Sequence, residues 1–278
     1  MVIAPTDRRR PVETTFAFVV EAGTPGLSIG RVERKMGQKV CPAAELVFED
    51  CFLEESCRVS SEPLPGRRID LVLGATRGAV GAFGAGVARG AYERALGYAS
   101  VSRHEGRWLL DQQWAQMLLA EMLRNVMIAR ALYVSAMLEN ELFGLSRLMR
   151  GPAQSLERVL PRAILESDPL QRAVSSRAVT KAAQRGVAEL PAWMVDASSA
   201  HGAAAKVTAT DLAMTNCHLA LDLMGADGLR RDRGVEKLYR DAKLLQIYEG
   251  TNQLNRIELF KKGVSPTPVP RARRGGER

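Results

Sequence analysis

The sequence predicts a mainly α protein with a small β part at its N-terminal end. Three observations predict it. Near residue 66 the composition changes, from short β-rich runs punctuated by turn residues to long stretches without them. Beyond that point apolar residues recur at spacings of three and four, the period of one helix face. The 278 residues, 46% hydrophobic and 25% charged, suffice for one large domain or two modest ones with a real core.

Residues 1–14 include Arg8, Arg9 and Arg10 and read as a basic tail. Strands are expected from Thr15 to Val20, from Leu27 to Val32 and from Ala44 to Phe48, with the turn cluster Gly23-Thr24-Pro25-Gly26 between the first two. Leu64-Pro65-Gly66 closes this β part, residues 15–66. Residues 67–263 are expected to be helical, and 264–278 a disordered basic tail.

The first helix is expected from Ile69 to Tyr98 despite Gly78, Gly81, Gly84, Gly86, Gly90 and Gly97. Each glycine costs a helix about 1 kcal/mol relative to alanine. Close backbone approach to a neighbour would offset that, so the stretch reads as a tightly packed helix. A flexible linker would carry Ser and Pro runs, which are missing here. Gln112 to Met149 reads as a second helix, with Trp114, Met117, Leu118, Met122, Ala129, Leu132, Tyr133 and Ala136 on one face. Leu119, Leu123 and Met127 lie off that face, so the helix is expected to be covered on two sides. Residues 151–190, with Pro152, Pro161 and Pro169, form a polar excursion. Helices follow from Ala203 to Met224, Glu236 to Tyr248 and Asn252 to Lys262, broken at Gly225 and Gly250.

The formal charge of +8 raises the question of nucleic acid, but most of the excess lies at the ends. Residues 1–12 carry net +2 and residues 266–278 net +3. No aromatic residues are interleaved with the basic ones, so a nucleic-acid partner is not expected. Cys41, Cys51, Cys57 and Cys217 form no CxxC pair and have no histidine at ligand spacing, which suits reduced thiols in a cytoplasmic protein without a metal site. The longest charge-free run, Gly78 to Ala88, falls short of the ~20 residues a bilayer requires, so membrane insertion is not expected.

No P-loop, GxSxG or HExxH motif is present, and His104, His201 and His218 are scattered. One segment remains, Leu238 to Arg256. Glu249 stands at a helix end beside Gly250, where the chain can turn sharply and project a carboxylate into a cleft. Ile247 and Tyr248 could supply an apolar wall, which would strengthen a general base. On spacing alone a solvated helix-end glutamate is the commoner outcome.

Arg240-Asp-Ala-Lys followed by Ile247-Tyr-Glu-Gly-Thr-Asn-Gln-Leu-Asn-Arg256 resembles the C-terminal signature of the acyl-CoA dehydrogenase family. Gly26-Leu-Ser-Ile-Gly, Glu33-Arg-Lys-Met-Gly37 and Glu45-Leu-Val-Phe-Glu-Asp-Cys51 resemble the second half of its middle β-domain. Gln113 to Met122 resembles a bundle helix, and Lys206 and Leu223 to Gly228 fall in family order. The resemblance implies a partial antiparallel β-domain followed by a C-terminal four-helix bundle, with the N-terminal domain and first strands missing.

It further implies α,β-dehydrogenation of an acyl-CoA thioester with FAD as hydride acceptor and Glu249 as base, reoxidised by electron-transferring flavoprotein. Arg103, Gln113, Gly225, Gly228 and Thr251 would meet FAD; Arg77, Tyr248 and Gly250 would meet substrate. Departures accompany it. Asp222 replaces a glutamine, Ser102 stands where the flavin-binding arginine is expected with Arg103 one position on, and Gly74 replaces an acid. Two readings follow: a catalytic subunit completed by an acyl-CoA dehydrogenase-like partner chain, or a non-catalytic structural subunit of such an oligomer.

Overall fold

Glycine sets the geometry of the longest helix. The computed structural model describes residues 1–11, 13–59, 66–143, 161, 164, 167–174 and 190–264. In it, helix α1 spans Gly66–Val101 and helix α4 spans Ala192–Met224. Gly74 faces Ser198, Gly81 faces Ala205 and Gly84 faces Ala209, so the two helices run in the same direction. A Cβ on Gly84 would come within 2.7 Å of the Ala209 carbonyl carbon. The missing side chains let the backbones touch, which offsets the poor helix propensity of glycine.

The stretch Ile69–Val101 is long and apolar enough to cross a membrane, beyond the run expected from the sequence. Half of its most apolar window is buried within the bundle, where that apolarity serves packing.

Helix α2 (Gln113–Phe143) returns antiparallel to α1 and packs on both α1 and α4. The two are joined by a two-residue hairpin, β5 (Arg103–His104) with β6 (Arg107–Trp108). Ala115, Leu119, Met122, Ala129 and Ala136 are buried, whereas Trp114, Met117, Leu123 and Met127 are exposed. This corrects two expectations. Met122, Ala129 and Ala136 lie on the expected face, but Ala115 and Leu119 share it in place of Trp114 and Met117, and α2 is covered on one side within this chain. The expected continuation to Met149 and most of the excursion 151–190 lie outside the described residues, apart from helix α3 (Asp168–Val174).

A polar knot ties the three long helices together. Asn125 Nδ2 donates to Asn216 Oδ1 at 2.9 Å, and Asn216 Nδ2 donates to the carbonyls of Ala88 and Met122 at 3.0 Å each. Both asparagines are fully buried, so every one of these bonds satisfies a group that water cannot reach.

Helix α4 begins eleven residues before the expected Ala203, directly after Pro191. Gly202 does not interrupt it, because that glycine lies against the Gly74 carbonyl. Helices α5 (Val235–Leu245) and α6 (Asn252–Gly263) complete the bundle. Lys262 anchors α6 by pairing with Asp70 and Asp196, each at 2.9 Å. The expected tail beyond Val264 lies outside the described residues.

The β part is two antiparallel pairs. Strand β3 (Leu27–Val32) pairs with β4 (Ala44–Phe48), Leu27 opposite Phe48, with an irregularity between Ile29 and Val32. Strand β1 (Val2–Pro5) pairs with β2 (Thr15–Phe18), Val2 opposite Phe18. Residues 1–14 are therefore no tail. The apolar run Val2-Ile3-Ala4 pairs as a strand, and Asp7 closes the connection by accepting from the Arg9 amide at 2.8 Å.

Candidate active site

The helical pattern ends at Leu245, three residues before the expected Tyr248, and the chain turns through residues 246–251 before α6 begins. Glu249 has φ +54° and Gly250 φ +83°, two successive left-handed residues. That conformation costs a non-glycine residue about 1 kcal/mol or more, and such strain persists only where the surroundings impose it.

The surroundings do so through a network of side chains. Thr76 Oγ1 of α1 donates to Glu249 Oε2 at 2.7 Å. Asn255 Nδ2 donates to the carbonyls of Glu249 (3.3 Å), Gly250 (2.7 Å) and Thr251 (3.0 Å). Lys206 Nζ of α4 donates to the Gly250 carbonyl at 2.7 Å and to Asn252 Oδ1 at 2.6 Å. Asn252 Nδ2 reaches Thr210 Oγ1 (2.9 Å) and Asp211 Oδ1 (2.7 Å). Asp211 also accepts from Gln246 at 2.7 Å and from Arg256 at 2.6 Å.

The Glu249 carboxylate is half-buried and forms no ion pair among the described residues. Its one side-chain partner among the described residues is a neutral hydroxyl. Lys206 is wholly buried, and burial lowers its ammonium to about 8; Asp211 opposes that shift, Arg77 adds to it and Glu249 opposes it.

Arg77, implied at the substrate, is 5% exposed, and its Nε and Nη1 have no partner among the described residues. It stands inside the bundle rather than on a surface open to a ligand. Tyr248 is 37% exposed, and the burial of the rest of its side chain raises its phenol above the usual value. Gln38 donates its amide to Asp241 Oδ1, and Arg240 donates to the Met36 carbonyl at 3.1 Å. The Arg240-Asp241 pair thus latches the β part onto the helix preceding Glu249.

Thr251 caps α6, its Oγ1 accepting from the Leu254 amide at 3.3 Å. A cleft of about 330 Å³ lies beside it, walled by Asp211, Lys243, Ile247 and Arg256. Glu249 does not line this cleft; its carboxylate faces α1.

The other implied cofactor residues gather elsewhere. Arg103 and Gln113 flank the α1–α2 connection, and Gly225 and Gly228 follow the C-terminus of α4, at the same end of the bundle. Lys206 and Gly225 are nineteen residues apart on α4, about 28 Å at 1.5 Å per residue. One chain therefore presents two separate stations. Arg103 lies 3.9 Å over the Trp108 ring and donates to the Gly106 carbonyl. Gly225 (φ +55°) has nothing within 4 Å of a would-be Cβ, whereas Gly228 packs against Leu221 and Met224. Asp227 accepts from Tyr98 at 3.0 Å and pairs with Arg230, while Asp222 is exposed.

Sequence reasoning missed Thr76, Asn252 and Asn255 as site residues. Only the polar character of Asn252 and Asn255 so close to Glu249 pointed that way.

A strained glutamate is clamped between helices of a bundle, beside an antiparallel β part. The acyl-CoA dehydrogenase C-terminal domain model matches residues 67–142 and 158–263, and the chain belongs to that family. It is 31% identical over 261 residues to the protein named probable acyl-CoA dehydrogenase FadE25 of Mycobacterium tuberculosis, covering 94% of this chain and 54% of that one. It is 26% identical over 268 residues to acryloyl-CoA reductase (NADH) of Anaerotignum propionicum, covering 94% and 53%. Butyryl-CoA dehydrogenase from Megasphaera elsdenii superposes with a TM-score of 0.68 at 25% identity, over 92% of this chain and 54% of that structure. The chain spans about half the length of the relatives it matches.

Proposed function

We propose that this chain supplies the helical half of a FAD-dependent acyl-CoA dehydrogenase, with Glu249 as the base that takes the α-proton of an acyl-CoA thioester. The observation that carries the reading is the Glu249 carboxylate itself: held in a left-handed turn, aimed by Thr76 and free of any ion pair among the described residues. A carboxylate not engaged by a paired cation can accept a proton from carbon acidified by the neighbouring thioester carbonyl.

Thr76 holds one oxygen of the carboxylate in place, which orients the other to accept, and Gly250, with no side chain, leaves room beside it. Tyr248 and Ile247 offer an apolar wall at the turn. FAD, when bound, supplies the acceptor for the β-hydride, so that loss of proton and hydride leaves a trans-2-enoyl thioester. The residues fit such a cofactor if it lies between chains. Thr251 belongs to one station; solvent-facing Arg103, Gln113 and the open ground at Gly225 belong to the other. The two-station arrangement supports an oligomer with another acyl-CoA dehydrogenase-like chain, which would also wall the flavin from water. Electron-transferring flavoprotein is the proposed electron acceptor.

Exposed Asp222 favours a second reading, a structural subunit without flavin, since a carboxylate repels a pyrophosphate. One experiment separates the two. The chain is produced together with an acyl-CoA dehydrogenase-like chain from the same genome, and the complex is titrated anaerobically with acyl-CoA. The catalytic reading expects a yellow complex that bleaches, and a Glu249→Gln complex that keeps its flavin without bleaching. A colourless complex, or equal bleaching in the variant, decides for the structural reading.

A further inference from the structure

We infer that Lys206 is the positioning residue that fixes the left-handed turn bearing Glu249, an inference that rests on the base reading of Glu249. Lys206 is wholly buried in α4, where an ammonium is costly unless its donors are used. Both of its bonds go to the three residues following Glu249, at the Gly250 carbonyl and Asn252 Oδ1. One turn along the same face of α4, Thr210 accepts from the other end of the Asn252 amide. Helix α4 therefore grips the start of α6 at two adjacent points.

What is gripped would otherwise relax. Glu249 at φ +54° is unfavourable for a residue with a Cβ, and the strain lies in the turn that orients the carboxylate. Without Lys206, Asn255 still holds the three carbonyls from within α6, but nothing from α4 ties the Gly250 carbonyl. The turn could then open toward ordinary φ values and move the carboxylate away from Thr76.

The charged groups facing Lys206 are Arg77 from α1, Asp211 from α4, Glu249 from the turn and Arg256 from α6. Two cations and two anions largely offset one another. The directed hydrogen bonds are what distinguishes this lysine from an apolar side chain of equal length.

The test replaces Lys206→Met in the assembled protein, which keeps the length and removes the donors. In hydrogen-exchange mass spectrometry, peptides covering residues 246–255 should exchange about tenfold faster or more, while peptides from the middle of α1 and α4 keep their protection. In the flavin-loaded assembly kcat should fall about tenfold or more, with KM for acyl-CoA changed less than about twofold. Unchanged exchange in the turn, protection lost evenly across the bundle, or a KM effect with kcat intact would each overturn the inference. If the methionine variant does not fold, Asn252→Ala removes one of the two acceptors with Lys206 left in the core, and the same comparison decides. Exchange reads the turn and not the chemistry. A Glu249→Gln enzyme that stays active sinks the base reading whatever the exchange shows; an inactive one, with the turn unchanged in Lys206→Met, sinks only this inference.

Discussion

The hydroxyl of Thr76 donates to the carboxylate of Glu249 at 2.7 Å, joining positions 173 residues apart in the chain. The bond places one carboxylate oxygen against α1 and leaves the other without a hydrogen bond among the described residues. It also gives the turn after α5 a fixed reference on the longest helix of the bundle.

Thr76→Val keeps the shape of the side chain and deletes the donor. A hydrogen bond to a charged group contributes about 1.5–3 kcal/mol. The variant should bind flavin as before but reduce it about tenfold more slowly, or slower still, when mixed with acyl-CoA in stopped flow. Unaltered reduction would show that the hydroxyl does not aim the base.

Two glycines of α1 should respond to alanine in opposite directions. At Gly84 the new methyl meets the Ala209 backbone at 2.7 Å; at Gly86 it meets nothing within 4 Å. Gly84→Ala should lower stability by about 1–3 kcal/mol through overpacking. Gly86→Ala should raise it by up to about 1 kcal/mol through helix propensity alone. Urea denaturation of both variants checks the pair.

Asn216→Leu would strand Asn125 Nδ2 in a dry core and remove the second hydrogen bond of the Ala88 and Met122 carbonyls, which keep their helical bonds. A buried group left unsatisfied costs about 1–3 kcal/mol, so a loss in that range is expected. A shift in the denaturation midpoint below that of surface controls such as Arg89→Ala measures it.

Lys206 makes stability depend on pH in a stated direction. Its ammonium is lowered from 10.5 to about 8 in the fold, so folding disfavours the charged form. The penalty is fully present below pH 8 and is relieved as pH rises toward 10.5, because the unfolded chain then binds the extra proton. Relative to Lys206→Met, the parent should gain on the order of 2–3 kcal/mol between pH 7 and 10 in chemical denaturation. A flat difference across that range contradicts the assignment. The neutral amine retains two N–H donors, so the turn keeps its bonds throughout.

The sequence displayed much of the bundle and the break at Gly250, since both rest on local signals: spacing, glycine and the residues flanking Glu249. Leu27–Val32 and Ala44–Phe48 form strands with the expected limits for the same reason. What stayed hidden depends on contacts distant in sequence. Thr76, Asn125 and Asn216 look like ordinary polar residues within helices until the fold brings their partners to them. The buried face of α2 was read in part: Met122, Ala129 and Ala136 lie on it, whereas the large Trp114 and Met117 drew attention from Ala115 and Leu119. Strand β1 was overlooked because the arginines that follow it dominate the composition, although Val2 to Ala4 alone supply the pairing residues.

Proton abstraction can be isolated from hydride transfer by following exchange of the acyl-CoA α-hydrogens with D2O in the assembled complex under anaerobic conditions. With Glu249 as base, the parent should exchange them and Glu249→Gln should lose the exchange by about a hundredfold or more, the scale of a removed general base. Equal exchange rates in the two proteins would contradict that role.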